Sequence, residues 1–426
     1  MEKQKSTALT SYQWFVVIIL ALTQFTVILD FMVMSPMGDI LMKSLNMSTQ
    51  QFGIAVSAYA FSAGASGLLT AGFADKFDRK KLLLFFYIGF TIGTVFCGLA
   101  ESYTQMVAAR IFTGLFGGVI GSISMAIVTD IFTLQQRGRV MGVIQMGFGV
   151  SQVMGIPVGL WVANHFGWHT TFIVVAALAA LIAILIVAVL KPVNAHLAIK
   201  HDRSPLTHLL NTLKNRDYRI AFSSTALLSI GGFMMMPFGS TFAVNNLGVS
   251  DVDLPLVFMY AGIATLIAMP FMGFLSDRVN KFRLFAVACL WATGVILVYT
   301  HMGNIAFGLV VTFNILMMVG ITGRMVPSTT LVSGVPAMQD RGAFMSINAS
   351  LQQISGGIGA VIGGLIVVQP TKASPLEHYE IVGYIVAVIT FVSIGLMYRV
   401  DRLVKRKATQ QPLNNIQDKD IAVVEA

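Results

Sequence analysis

The chain has 426 residues, of which 56% are hydrophobic and 11% charged, with a formal net charge of +9. Soluble domains carry about 25% charged residues, so this composition, with a mean hydropathy of +0.77, excludes an ordinary water-soluble fold. The two cysteines, Cys97 and Cys289, lie in apolar runs and imply no disulfide framework.

Apolar runs of about 20 residues fit membrane helices. Twelve are predicted, at roughly 14–35, 52–73, 82–100, 104–128, 140–162, 171–190, 219–244, 255–275, 284–301, 305–326, 343–367 and 380–398. Residues 1–13 are short and polar, and the run after them is too long for a signal peptide core, so no cleaved leader is expected. With the N-terminus in the cytoplasm, all but four of the 28 Lys and Arg residues fall in cytoplasmic segments; the exceptions are Lys43, Lys372, Arg110 and Arg324. This asymmetry predicts a multi-pass protein of the cytoplasmic (inner) membrane with both termini inside. It also accounts for the basic charge without nucleic acid.

The first predicted span holds one carboxylate, Asp30. An acid at the centre of a membrane helix costs roughly 2.5–3.5 kcal/mol on insertion scales. Thr23, Thr26 and Asp30 share one helical face, which reads as the wall of an aqueous cavity. The alternative is a solvated acid at the outer mouth. The fourth span holds Arg110, and Asp30 is the acid available to it inside the first half, so the two are expected to approach each other or share a water. The alternative is an arginine snorkelling to the outer interface. Small residues Gly114, Gly117, Gly118 and Gly121 follow Arg110, at a spacing that lets helices pack closely.

The chain repeats itself. Gly72-Phe-Ala-Asp75-Lys-Phe-Asp-Arg79 after span 2 is matched by Gly273-Phe-Leu-Ser-Asp277-Arg278 after span 8. Arg137-Gly138 is echoed by Arg341-Gly342, and Phe31-Met-Val-Met-Ser-Pro36 by Phe233-Met-Met-Met-Pro237. Even-numbered halves insert the same way round. The register sets Gly232 opposite Asp30 and Asn314 opposite Arg110, so the charged pair belongs to the first half alone. The predicted organisation is a cytoplasmic N-terminus (1–13), a six-span half (14–190), a cytoplasmic linker (191–218), a second half (219–398) and a tail (399–426). In the linker, Ser204-Pro205 reads as a cap opening a short amphipathic helix. The tail from about 408 reads as disordered.

The two Asp-Arg loops, the duplicated six-span plan and the long central loop resemble the major facilitator superfamily over about residues 12–400. That resemblance implies an all-α membrane protein of twelve helices in two pseudo-symmetric halves. It implies a cytoplasmic gate in which Asp75, Arg79 and Asp130 cluster, with Asp277 and Arg278 in the second copy. Arg110-Ile-Phe-Thr-Gly114 resembles the Arg-x-x-x-Gly element tied to proton coupling in antiporters of the family. Gly149-Val-Ser-Gln152-Val-Met-Gly155-Ile-Pro157-Val-Gly159 resembles the Gly/Pro-rich element of its exporters, although one residue separates Gly155 from Pro157. Physically, Pro157 frees a carbonyl and bends the helix. His169, where the family usually has Arg, reads as structural.

Gln145 and Gln152 share a face of span 5, and Asn348, Gln352 and Ser355 a face of span 11. With Asn314 they supply uncharged hydrogen-bonding groups for a neutral or variable substrate. Arg324, toward the cytoplasmic end of span 10, is suited equally to an anionic substrate, a gate or a lipid headgroup. No phosphate-binding glycine loop and no metal-ligand spacing exists, so neither ATP, a cofactor nor a metal is expected. The expectation is a monomeric, non-enzymatic secondary transporter whose partners are a small-molecule substrate, protons and the bilayer. By resemblance it is a proton-coupled efflux pump similar to the drug:proton antiporters. The alternatives are a specific exporter of a sugar, nucleoside, peptide or siderophore, a lipid transporter, or a non-transporting membrane sensor.

Overall fold

The computed structural model describes residues 9–70, 74–194, 197 and 205–424. Among these, twelve helices are long and apolar enough to cross a membrane, and the extended backbone pairing is one isolated bridge between Val368 and Glu377. The first half comprises α1 (Ser11–Val33), α2 (Gly38–Ser44), α3 (Thr49–Thr70), α4 (Arg79–Gly98), α5 (Tyr103–Ile131), α6 (Leu134–Val150), α7 (Ile156–Phe166) and α8 (Trp168–Val189). After α9 (Pro205–Lys214), the second half comprises α10 (Arg216–Met235), α11 (Gly239–Asn245), α12 (Leu254–Arg278), α13 (Lys281–Tyr299), α14 (Phe307–Ser333), α15 (Arg341–Ile366) and α16 (Tyr379–Val424).

Local chemistry sets these limits. Thr10 and Gln13 form a capping box at the start of α1, each side chain bonded to the other's backbone N–H. Asp78 opens α4 by accepting from Lys81 N at 3.1 Å, and Asn280 opens α13 by accepting from Arg283 N at 3.1 Å. The fifth span is broken where its Gly/Pro element lies. Ser151–Gly155 is a π-helical turn between α6 and α7, and Pro157 follows it within the first turn of α7. A proline cannot donate to the preceding turn, and the wider π turn absorbs the lost bond.

Two short helices go beyond the predicted spans. Each half's Met-rich run ends in a proline, and a seven-residue helix follows it, α2 in one half and α11 in the other. The tail also differs from expectation, since α16 continues as helix to Val424. Extending a formed helix adds one hydrogen bond per residue fixed, so a polar stretch can follow an apolar one. Ser204, the expected cap of α9, lies outside the described residues; α9 itself is present, with Leu209 buried and Leu210 and Leu213 exposed.

The apolar core shows which side of the molecule is closed. On the side away from the termini, one cluster joins both halves, with Met34, Phe52 and Trp168 of the first packed with Phe238, Leu254 and Tyr379 of the second. On the terminal side the core divides. One cluster there belongs to the first half, around Leu83, Ile123 and Ile186. The other belongs to the second, around Phe222, Phe285 and Phe344, with Leu68 of α3 against it. Polar contacts agree. Ser240 Oγ donates to Ser35 O at 2.9 Å, Asn245 Nδ2 to Asp39 Oδ1 at 2.7 Å and Thr49 Oγ1 to Val367 O at 2.6 Å. All three bridge the halves on the closed side. The halves also touch through glycines: Gly53 and Gly64 of α3 face α15, and Gly262 of α12 faces the backbone of Gln152.

Candidate functional site: a sealed ion pair against the seam between halves

α1 delivers Asp30 and α5 delivers Arg110 to one point. Arg110 Nη1 donates to Asp30 Oδ2 at 2.8 Å, and both side chains are 0% exposed. The same nitrogen lies 3.4 Å from Asp30 O, and Thr94 Oγ1 of α4 donates to Asp30 Oδ1 at 3.1 Å. Tyr59 of α3 lies under the guanidinium, with Cζ 4.5 Å from its ring centroid. This sealed placement is neither a snorkelling arginine nor a solvated mouth. Arg110 Nε and Nη2 are enclosed without a partner. The guanidinium therefore spends one of its three nitrogens on the carboxylate.

Close packing builds this geometry. Gly114, one turn past Arg110, leaves no room for a side chain, since a Cβ there falls 2.5 Å from Tyr59 O. Gly155 and Gly159 meet Leu29 and Val33 of α1, so the broken span rests on the turns that carry Asp30. Phe31 packs on Tyr59, with centroids 5.0 Å apart, and on Phe233 of the second half, 5.9 Å away. The pair therefore sits inside the first half, one residue from the seam.

Thr23 and Thr26 do not line water here. Both are fully buried; Thr23 Oγ1 donates to Ile19 O at 2.8 Å, and Thr26 Oγ1 and Tyr87 OH share a hydrogen bond of 2.8 Å. Thr26 and Asp30 of this face bond to Tyr87 and Thr94 of α4 instead. Gln145 and Gln352 are exposed, while Gln152, Asn314 and Asn348 are half-buried. Asn314 Nδ2 is held by Val310 O at 2.9 Å and reaches Tyr299 OH at 3.4 Å. Asn348 Oδ1 is enclosed without a partner. Among the described residues, no hydrogen bond joins these five to one another. Ser355 is buried.

The loop after α3 brings Arg79 to Asp130, with Nε–Oδ2 3.3 Å, while Arg79 Nη1 donates to Ala74 O at 3.1 Å. Asp75 lies in a short turn, Ala74–Lys76, whose Asp75 side chain is outside the described set, as is Gly72. Asp277 and Arg278 end α12, both exposed, with the Arg278 guanidinium 3.9 Å from the Phe274 ring centroid. The described contacts of Arg79 and Asp130 tie α4 to α5 within one half. Arg324 is 9% exposed. His169 Nδ1 lies 2.8 Å from Gly98 O, a structural contact. Sequence reasoning missed Thr94 and Tyr59, because a lone hydroxyl or ring in an apolar span has no pattern, and it found Phe233 as the repeat partner of Phe31 without its contact to it. Asp39 was also missed. It is buried on the closed side and pairs with Lys43 at 2.6 Å, and that spacing of four was a usable signal.

Twelve membrane helices in two matched halves, with an ion pair sealed between helices of one half, define a polytopic transporter fold. The profile of the Major Facilitator Superfamily matches residues 20–335 and 221–417, and the chain belongs to that family of secondary transporters. It is 22% identical to the uncharacterized MFS-type transporter YceJ of Bacillus subtilis (strain 168), over 89% of this chain and 95% of that one. It is 28% identical to multidrug resistance protein 3 of the same organism, over 36% of this chain and 30% of that one. Among solved structures it superimposes with a TM-score of 0.75 on a bacterial homolog of the human lysosomal transporter Spinster, in an inward-facing and occupied conformation. That match is 15% identical and covers 93% of this chain and 98% of the other.

Proposed function

We propose that the chain is a proton-coupled antiporter that exports small organic molecules across the cytoplasmic membrane by alternating access, with both termini inside. The reading is carried by one observation, the enclosed Asp30–Arg110 contact at 2.8 Å with 0% exposure of either side chain. Two opposite charges at this distance cancel. Protonation of Asp30 removes the cancellation and leaves the guanidinium's charge enclosed, which is unfavourable by several kcal/mol. A conformation that opens the pair to water relieves that cost. The two protonation states of one carboxylate thus prefer different conformations, which is the requirement for coupling.

The rest of the molecule supplies the change of access. The closed side is held by a shared apolar cluster and by interhalf hydrogen bonds that include those of Ser240, Asn245 and Thr49, while the terminal side has separate clusters for the two halves, with Leu68 of α3 against the second. Arg79, Asp130 and Asp75, with Asp277 and Arg278, form the gate that joins the halves when the terminal side closes. Gln145, Gln152, Asn314, Asn348 and Gln352 line the substrate path between them. The shared stretch with multidrug resistance protein 3 supports efflux.

The test uses proteoliposomes with an imposed pH gradient and a panel of labelled organic solutes. Wild type accumulates a solute against its gradient only when protons flow the other way. Asp30→Asn retains solute exchange between the two faces but no longer responds to the proton gradient. Proton-driven accumulation by Asp30→Asn at the wild-type rate contradicts the proposal.

A further inference from the structure

Six charged side chains are buried among the described residues, and five have a charged partner. Asp30 and Arg110 pair at 2.8 Å, Asp39 with Lys43 at 2.6 Å, Arg79 with Asp130 at 3.3 Å and Asp401 with Lys405 at 2.6 Å. Arg324 is the sixth. It is 9% exposed, and among the described residues it makes no hydrogen bond and no ion pair. Its nitrogens are not among the polar atoms sealed from solvent, whereas two of Arg110's are. The guanidinium is therefore buried but not fully enclosed.

Arg324 lies nine positions before Ser333, the last residue of α14, roughly 13 Å along the axis at 1.5 Å per residue, and two positions before the apolar run ends at 326. The surroundings are neutral. Gly323 brings α14 against Ala288 of α13 and Met272 of α12, and the one titratable neighbour whose charge acts on Arg324 is the Cys289 thiol. Ser328, one turn further along the same face, is 8% exposed, makes no hydrogen bond among the described residues and is likewise not sealed. A planar fork of donors and a free hydroxyl thus stand one turn apart on one face of α14.

We propose that Arg324, seconded by Ser328, receives the anionic group of the transported molecule, a carboxylate or phosphate presenting two oxygens to the guanidinium. The substrates are then small organic anions or zwitterions rather than lipophilic cations. The Asp30–Arg110 pair sums to zero, so Arg324 leaves the described membrane interior with one uncompensated positive charge, and a monoanion neutralises it. The guanidinium fork matches such oxygens bidentately. This inference rests on the transporter reading above, but not on Asp30 as the proton carrier.

The experiment measures anion protection of Arg324 from 4-hydroxyphenylglyoxal, read by peptide mass spectrometry on purified full-length protein in phosphatidylcholine nanodiscs. The probes are benzoate, inorganic phosphate and tetraphenylphosphonium; a separate arm uses nanodiscs containing phosphatidylglycerol without added solute. Benzoate or phosphate is expected to slow modification of Arg324 about tenfold at saturation, and tetraphenylphosphonium to leave it unchanged. Ser328→Ala is expected to weaken that protection about fivefold, the worth of one hydrogen bond, with the unprotected rate unchanged. Asp30→Asn retains the protection, so loss of proton coupling in the transport assay and loss of anion binding here are separate results. Absence of protection by both anions, or equal protection by tetraphenylphosphonium, overturns the proposal. Protection by phosphatidylglycerol alone overturns it in favour of a lipid headgroup.

Discussion

Phe31 rests against Phe233 across the seam between the two halves, with ring centroids 5.9 Å apart. Phe31 is the residue after Asp30, and its other neighbour is Tyr59, whose ring lies under Arg110. In the proposed cycle, a change in the ion pair is felt one residue away, at the seam between the halves. Phe233→Ala is expected to leave proton binding at Asp30 intact while loosening its link to transport. Proteoliposomes holding this variant should leak protons without substrate, or move substrate without protons. Unchanged stoichiometry would show that the rings only fill space.

The pair itself should behave as a unit. Removing one partner of a buried ion pair costs roughly 3–5 kcal/mol, because the other charge stays buried and uncompensated. Arg110→Gln and Asp30→Asn should each lower the thermal unfolding midpoint in detergent. The double variant should recover most of the loss, since it buries no charge. A double variant as unstable as the sum of the singles would mean that the two charges do not interact in the folded protein.

Asn245 gives a handle on the closed side. Its Nδ2 donates to Asp39 Oδ1 of the other half at 2.7 Å, and a hydrogen bond to a charged group is worth roughly 1.5–3 kcal/mol. Asn245→Ala should raise the population open on that side by about tenfold or more. Cys97, fully buried in the shared cluster, is a native reporter. Its labelling by N-ethylmaleimide should accelerate in the variant, while Cys289, on the terminal side, should react as before.

Gly114 is the tightest point of the α3–α5 contact near Arg110. A Cβ there would meet Ser62 Oγ and fall 2.5 Å from Tyr59 O. Gly114→Ala should therefore cost about 1–3 kcal/mol by overpacking and should impair transport by displacing Arg110. Gly138→Ala and Gly142→Ala, where nothing lies within 4 Å, are the controls and should be neutral in a melting assay.

The twelve spans were legible because hydrophobic length is a direct consequence of bilayer thickness. Their ends were less so. The tenth span was expected to stop at 326, yet α14 runs to Ser333, since a helix does not end where its apolar run does. Helices α2 and α11, at seven residues each, fall below the length that hydropathy can register. The meeting of Asp30 and Arg110 was legible because charges in hydrocarbon need partners. Thr23 and Thr26 were misread as facing water, because a polar face in a bundle can equally pack on another helix, here on Tyr87. Tyr59 and Thr94 left no trace in the sequence, since what places them is the close approach of helices far apart in the chain, while Phe233 was visible only as the repeat partner of Phe31.

The central claim is that Asp30 takes up the transported proton. The most direct measurement is infrared difference spectroscopy of the purified protein between alkaline and acidic buffer, in wild type and Asp30→Asn. The account predicts a buried carboxylic acid band that grows on acidification in wild type, is missing in Asp30→Asn and shifts when substrate is added. The same band at the same intensity in both proteins would contradict it.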